Sequence, residues 1–151
     1  MVGNPFAGWH GTLHNESKSF IYENNTLFNE DKTIIIAYIG GSKTYNIPKS
    51  VKSIGQNAFS ECHSLTSINI PDGVTSIGKS AFSGCKSLTS INIPDSVTSI
   101  GEWAFARCNS LTIINIPNTV ASIGEDAFGE CENLNPQIKN DIIERFGREV
   151  F

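Results

Sequence analysis

Residues 62–107 read CHSLTSINIPDGVTSIGKSAFSG and then CKSLTSINIPDSVTSIGEWAFAR, two stretches of 23 residues identical at 17 of 23 positions. Chance does not produce that, and a period of this size marks an array of units that stack on their neighbours. The period runs outward in both directions. Ile54, Ile77, Ile100 and Ile123 recur at it, as do Phe59, Phe82, Phe105 and Phe128. So do Ala58, Ala81, Ala104 and Ala127, the cysteines Cys62, Cys85, Cys108 and Cys131, and the leucines Leu65, Leu88, Leu111 and Leu134. Pro48, Pro71, Pro94 and Pro117 keep the same spacing, and so do Val51, Val74, Val97 and Val120.

One unit reads L-x-x-I-x-I-P-x-x-V-x-x-I-G-x-x-A-F-x-x-C-x-x. Leu65, Ile68 and Ile70 alternate as in a strand, with Ser67 and Asn69 turned the other way. Pro71 lacks a ladder donor and ends that strand. Val74 and Ile77 point inward again, and Gly78 is expected to permit the bend that follows. Ala81, Phe82 and Cys85 fit one short helical or 3₁₀ turn on the opposite side. A single unit buries little, whereas stacked units share one continuous apolar interior.

Over residues 44–134 this pattern resembles the BspA-like leucine-rich repeat, the 23-residue bacterial type. The resemblance implies an α/β leucine-rich repeat solenoid, right-handed and strand-dominated, with a strand in each coil. The first repeat is degenerate: Tyr45, Ile47, Pro48 and Val51 fit, while Ser42 stands where leucine is expected. Neighbouring strands are expected about 4.8 Å apart, so about four coils make a stack about 20 Å long.

Residues 1–43 lack the period. Asn4 to Trp9, NPFAGW, looks like a worn A-F-x-x-C turn. Phe20-Ile21-Tyr22, Thr26-Leu27-Phe28 and Thr33 to Ile39 read as strands, with turns at Asn24-Asn25 and at Asn29 to Lys32. Similar β insertions occur within the family, so the segment is assigned to the N-terminal end of the stack. At the other end, residues 135–151 carry a capping helix. Asn135 suits an N-cap, Pro136 the first helical position and Gly147 a C-cap. Ile138, Ile142, Ile143 and Phe146 fall on one face, which makes 136–146 an amphipathic lid on the last coil.

Composition narrows the function. The chain has 151 residues, 39% of them hydrophobic and 17% charged, and a formal charge of -4. That balance suits one folded domain. It also argues against a nucleic-acid partner, which would need clustered Lys and Arg. The longest apolar run, Ile34 to Ile39, is too short to cross a bilayer, so no membrane insertion is expected. MVGNPFAGWHG shows no secretory leader pattern. The chain is therefore expected either in the cytoplasm or as a piece of a longer exported protein. The sequons at Asn15 and Asn24 carry no meaning in a bacterial protein.

No residue pattern points to catalysis, a cofactor or a metal. The four cysteines occupy one structural position and lack a C-x₂₋₄-C pair, so a buried packing ladder is expected. A disulfide between neighbouring coils is the lesser alternative, because parallel side chains rarely meet its torsion. His63 sits where other units have Lys86, Asn109 and Glu132, which makes it a variable, solvent-facing site. His10 and His14 lack the helical context a metal pair needs. Ser64, Ser87 and Ser110 have no G-x-S-x-G setting. Gly40-Gly41-Ser42-Lys43 lacks a full phosphate-loop motif and is assigned to a hairpin turn.

What remains is surface. Ser67 and Asn69, Ser90 and Asn92, Ile113 and Asn115 form outward rungs of a flat, uncharged ladder with one apolar spot at Ile113. Trp103 and Arg107 occupy variable positions of the third A-F turn, and these residue types dominate interface energetics. They also suit a self-contained cation–π pair. These eight residues are the candidate partner contacts. The expected function is a non-catalytic protein–protein interaction module. The resemblance implies a bacterial cell-surface or adhesin-like setting with a host or matrix protein as partner. The alternative is a structural spacer or an intracellular interaction scaffold, and a monomer is favoured.

Overall fold

The computed structural model describes residues 19–151. The worn turn at Asn4 to Trp9, the His10 and His14 pair and the Asn15 sequon lie outside the described residues.

Three strands open the chain: β1 (Phe20–Glu23), β2 (Thr26–Asn29) and β3 (Ile34–Tyr38). They form an antiparallel meander whose first turn, Asn24-Asn25, has both residues at positive φ, as a two-residue hairpin requires. Each coil then supplies two short strands where the sequence predicts one. Its first strand is β4 (Thr44–Asn46), β6 (Ser67–Asn69), β8 (Ser90–Asn92) or β10 (Ile113–Asn115). The second is β5 (Ser53–Ile54), β7 (Ser76–Ile77), β9 (Ser99–Ile100) or β11 (Ser122–Ile123).

Rungs join residues 23 apart. Tyr45 faces Ile68, Ile91 faces Ile114, and Ile54, Ile77, Ile100 and Ile123 form one parallel row. β3 joins that row through Ile35 beside Ile54. The sheet therefore runs β1-β2-β3-β5-β7-β9-β11, and the N-terminal meander extends the solenoid. β4 belongs to a different sheet, paired with β6. Residues 40–43 thus cross from one side of the coil to the other. This corrects the expected hairpin turn, and the cause is that β3 already has β2 and β5 as neighbours.

The A-F-x-x-C segment makes the expected short i→i−3 turns, without continuing into a helix. Ala81, Ser83 and Cys85 donate to the carbonyls of Gly78, Ser80 and Phe82, while Ser80, Phe82 and Gly84 donate forward to Glu102, Ala104 and Ala106. Every second N–H is taken by the next coil, so a run of successive helical bonds cannot form. The alternation places two residues per coil in the left-handed region: Ser80 and Gly84 (φ 53° and 74°), then Trp103 and Arg107 (φ 53° and 60°).

The core is a set of ladders. Phe59, Phe82, Phe105 and Phe128 are fully buried and stack with centroids 5.2, 5.3 and 5.5 Å apart and planes within 10°. Tyr38 and Tyr45 close one end on Phe59. Beside the rings, Cys85, Cys108 and Cys131 point their thiols at the carbonyls of Phe59, Phe82 and Phe105 at 3.1–3.2 Å. Thr66, Thr75, Thr98 and Thr112 send their hydroxyls to carbonyls 23 residues back. Gly78 has a reason different from the expected one. Its φ is ordinary, but a Cβ there would lie 2.8 Å from the backbone of Gly55 and Gln56 in the preceding coil.

Helix α1 (Pro136–Phe146) forms as the spacing predicts. The Asn135 side chain accepts from the N–H groups of Gln137 and Ile138, and Gly147 donates to Ile143. Ile142 is buried, and Ile138 and Phe146 pack against the core. The period survives the helix. Gly147, Val150 and Phe151 stand 23 residues after Gly124, Ala127 and Phe128. Phe128 N–H donates to Val150, and the Phe151 ring lies 5.5 Å from Phe128. The helix therefore replaces the strands of a fifth coil whose A-F turn is retained.

Candidate protein-interaction surface

The strands β6, β8 and β10 place Ser67, Asn69, Ser90, Asn92, Ile113 and Asn115 on the solvent side, each flanking a buried isoleucine. Ile113 is 57% exposed, the most open large apolar side chain among the described residues. Its neighbours in the same row are Ser90 and, further back, Ser67 and Thr44. The Asn115 amide donates to Asn92 at 3.0 Å, so the asparagine row satisfies part of its own hydrogen bonding.

Strand β10 has a neighbour on one side only. At its free edge the chain follows the coil as far as Asn135, whose N–H donates to Thr112, and then leaves as α1. Arg145 reaches back from the helix and donates to the carbonyls of Ile116 and Pro117, at 2.9 Å each. A cleft of about 360 Å³ lies between, with Ile113, Ile116, Ile138 and Asp141 on its walls.

Trp103 and Arg107 are not on this face. They lie in the A-F turn, and they do not pair with each other as the sequence suggests. The Lys79 ammonium sits 4.3 Å from the Trp103 ring centroid, and the indole N–H donates to Asp126 at 3.2 Å. Arg107 Nε donates to Glu130 at 3.2 Å, and Lys79 pairs with Glu102 at 2.6 Å. All these partners except Lys79 on Trp103 are related by 23 residues. Adding the period to Trp103 and Arg107 would have found Asp126 and Glu130 from the sequence. The structure therefore divides the eight candidates between two sides of the coil.

The residues with chemical potential are quiet. All four cysteines are free thiols, and Cys85, Cys108 and Cys131 are buried. Burial pushes Cys62 up to about 12 and Cys131 up to about 11. Burial also raises Cys85 and Cys108, reinforced by the thiol of a neighbouring coil. Thiols held neutral in this way are poor nucleophiles and poor metal ligands. His63 is half exposed, with Nδ1 3.0 Å from the Gly84 carbonyl and Nε2 3.3 Å from Glu61. Among the described residues no cluster of His, Cys, Asp and Glu can hold a metal ion, and no helix is long and apolar enough to cross a membrane.

The sequence matches the BspA type leucine-rich repeat region in six copies across residues 38–151. The chain belongs to this family. Similar solved structures include a leucine-rich repeat protein from Eubacterium ventriosum, 35% identical, with a TM-score of 0.74 over 78% of this chain and 32% of that one. Another is the T. pallidum leucine-rich repeat protein, 32% identical, with a TM-score of 0.67 over 81% of this chain and 58% of that one. A leucine-rich cell surface protein from Faecalibacterium prausnitzii is 30% identical, with a TM-score of 0.59 over 80% and 39%. The chain thus spans about a third of the first of these and just over half of the second. None of the curated proteins matches it. Leucine-rich repeats are generally protein-interaction modules and non-catalytic scaffolds.

Proposed function

We propose that this chain is a non-catalytic recognition module of a bacterial cell-surface protein. In this reading it acts as a monomer and binds a host or matrix protein through the face formed by β6, β8 and β10. The observation that carries the reading is Ile113. In a row otherwise made of Thr44, Ser67 and Ser90, one position becomes apolar and stays 57% exposed, next to the free edge of β10. At that exposure the side chain gains little from burial in the folded chain, whereas an apolar anchor inside a polar rim is how protein interfaces are built. The cell-surface setting is supported by the similarity to the Faecalibacterium prausnitzii protein.

The competing reading is a structural spacer. It is favoured by the Asn115–Asn92 bond, by which the asparagine row satisfies part of the face from within. Biolayer interferometry of the purified chain against immobilised extracellular-matrix proteins separates the two. The recognition reading expects saturable binding that weakens about tenfold in Ile113→Ser, the loss of one buried aliphatic anchor. Binding to none of them, or binding that ignores the substitution, leaves the spacer.

A further inference from the structure

Near-identical repeats make the chain its own control. Between residues 62–84 and 85–107 six positions differ, and four of them are Lys79/Glu102, Ser80/Trp103, Ser83/Ala106 and Gly84/Arg107. Ladder packing holds the other columns nearly constant, so the third coil has changed chiefly on one arc of its surface. Trp103 and Arg107 take the two left-handed positions that every coil has, at φ 53° and 60°, and Arg107 stands where the preceding coil has Gly84.

These substitutions build a cleft of about 480 Å³ along the stack. Trp103 and Asp126 form one wall, Arg107 and Glu130 the other, and the small Ala106 and Gly129 lie between. Trp103 is 41% exposed yet held on two sides, by the Lys79 ammonium 4.3 Å from its ring centroid and by the bond from its N–H to Asp126. An immobilised indole with a free surface loses little entropy when a ligand stacks on it.

We infer that this cleft is a carbohydrate site that takes a short neutral oligosaccharide, with one pyranose ring against Trp103 and its hydroxyls on Arg107, Asp126 and Glu130. The charge pattern selects that ligand class. Both nearby cations are already paired, Arg107 with Glu130 and Lys79 with Glu102, so an anion finds no uncompensated partner. An apolar peptide side chain would strip water from two carboxylates and a guanidinium and return nothing. A sugar hydroxyl both donates and accepts, which suits carboxylate and guanidinium neighbours together, and the C–H face of the ring suits the indole. The inference concerns a different side of the coil from Ile113 and does not rest on the protein contact.

The test follows the Trp103 indole N–H resonance in ¹⁵N-labelled protein, titrated separately with cellotriose, N,N′-diacetylchitobiose and inorganic phosphate. The chain has two tryptophans, so the Trp103→Ser spectrum assigns the peak. At least one sugar is expected to shift it saturably in the millimolar range. The double variant Trp103→Ser with Arg107→Gly should bind that sugar at least about tenfold more weakly, the loss of one stacked aromatic and its polar partner. That variant restores the preceding coil's residues and keeps a fold the chain already uses. Ile113→Ser should bind like the parent. No shift with either sugar, a shift with phosphate alone, or equal sugar binding by the double variant would overturn the inference.

Discussion

The thiol ladder makes the solenoid sensitive to alkali, and the size of the effect can be worked from burial. An unfolded cysteine ionises near pH 8.5. In the folded chain burial holds Cys131 at about 11 and Cys62 at about 12, and raises Cys85 and Cys108 as well. Below about pH 8 the thiols are neutral in both states and the ladder contributes fully. Above it the unfolded chain releases protons that the folded chain keeps, so stability falls as pH rises toward the folded values. At about pH 9.5 the linkage is on the order of 1 kcal/mol for each of Cys62 and Cys131, and Cys85 and Cys108 act in the same direction. Against a domain's usual ~5–15 kcal/mol that is a measurable loss. Urea unfolding followed by circular dichroism, under reducing conditions between about pH 7.5 and 9.5, reads the loss directly. A variant with all four cysteines changed to alanine should lose far less over the same range. If the parent and the variant share one pH profile, the thiols are not buried in neutral form and the ladder is misread.

Three further outcomes follow from the packing. Phe105→Ala removes a fully buried ring stacked on both sides and should cost about 3–5 kcal/mol in the same urea assay, with both neighbouring coils loosened in hydrogen exchange. Gly101→Ala places a Cβ 2.6 Å from the Lys79 nitrogen and 2.8 Å from the Gly78 carbonyl carbon, so the coils must part, at about 1–3 kcal/mol of urea stability. Arg145→Ala uncovers the Ile116 and Pro117 carbonyls and should speed amide exchange in α1 more than in β8.

The period in the sequence determined most of the architecture by itself. Repetition of Leu65, Ile68, Phe82 and Cys85 every 23 residues left one way to bury them, with each coil on the last. The exposure of Ser67, Asn69 and Ile113 followed from strand alternation. The helix at Pro136–Phe146 was legible from its caps and apolar face. The continuation through Gly147, Val150 and Phe151 was equally present in the spacing, but the helix between hid it. The same arithmetic would have joined Arg107 to Glu130.

Other features depended on competition between neighbours that no single repeat displays. Whether Ala81 to Cys85 coil into a helix turns on where alternate N–H groups go, and the next coil takes them. Residues 40–43 read as a turn until the partners of β3 and β4 are known, because a hairpin and a crossover share the same local chemistry. The role of Gly78 is invisible in its own dihedral angles and appears only when the preceding backbone closes against it. Trp103 and Arg107, four apart, looked like partners, yet the stack offered each a nearer one. Sequence spacing fixes which residues share a column; the distance between coils decides which of them touch, because backbone hydrogen bonding sets that distance before any side chain is placed.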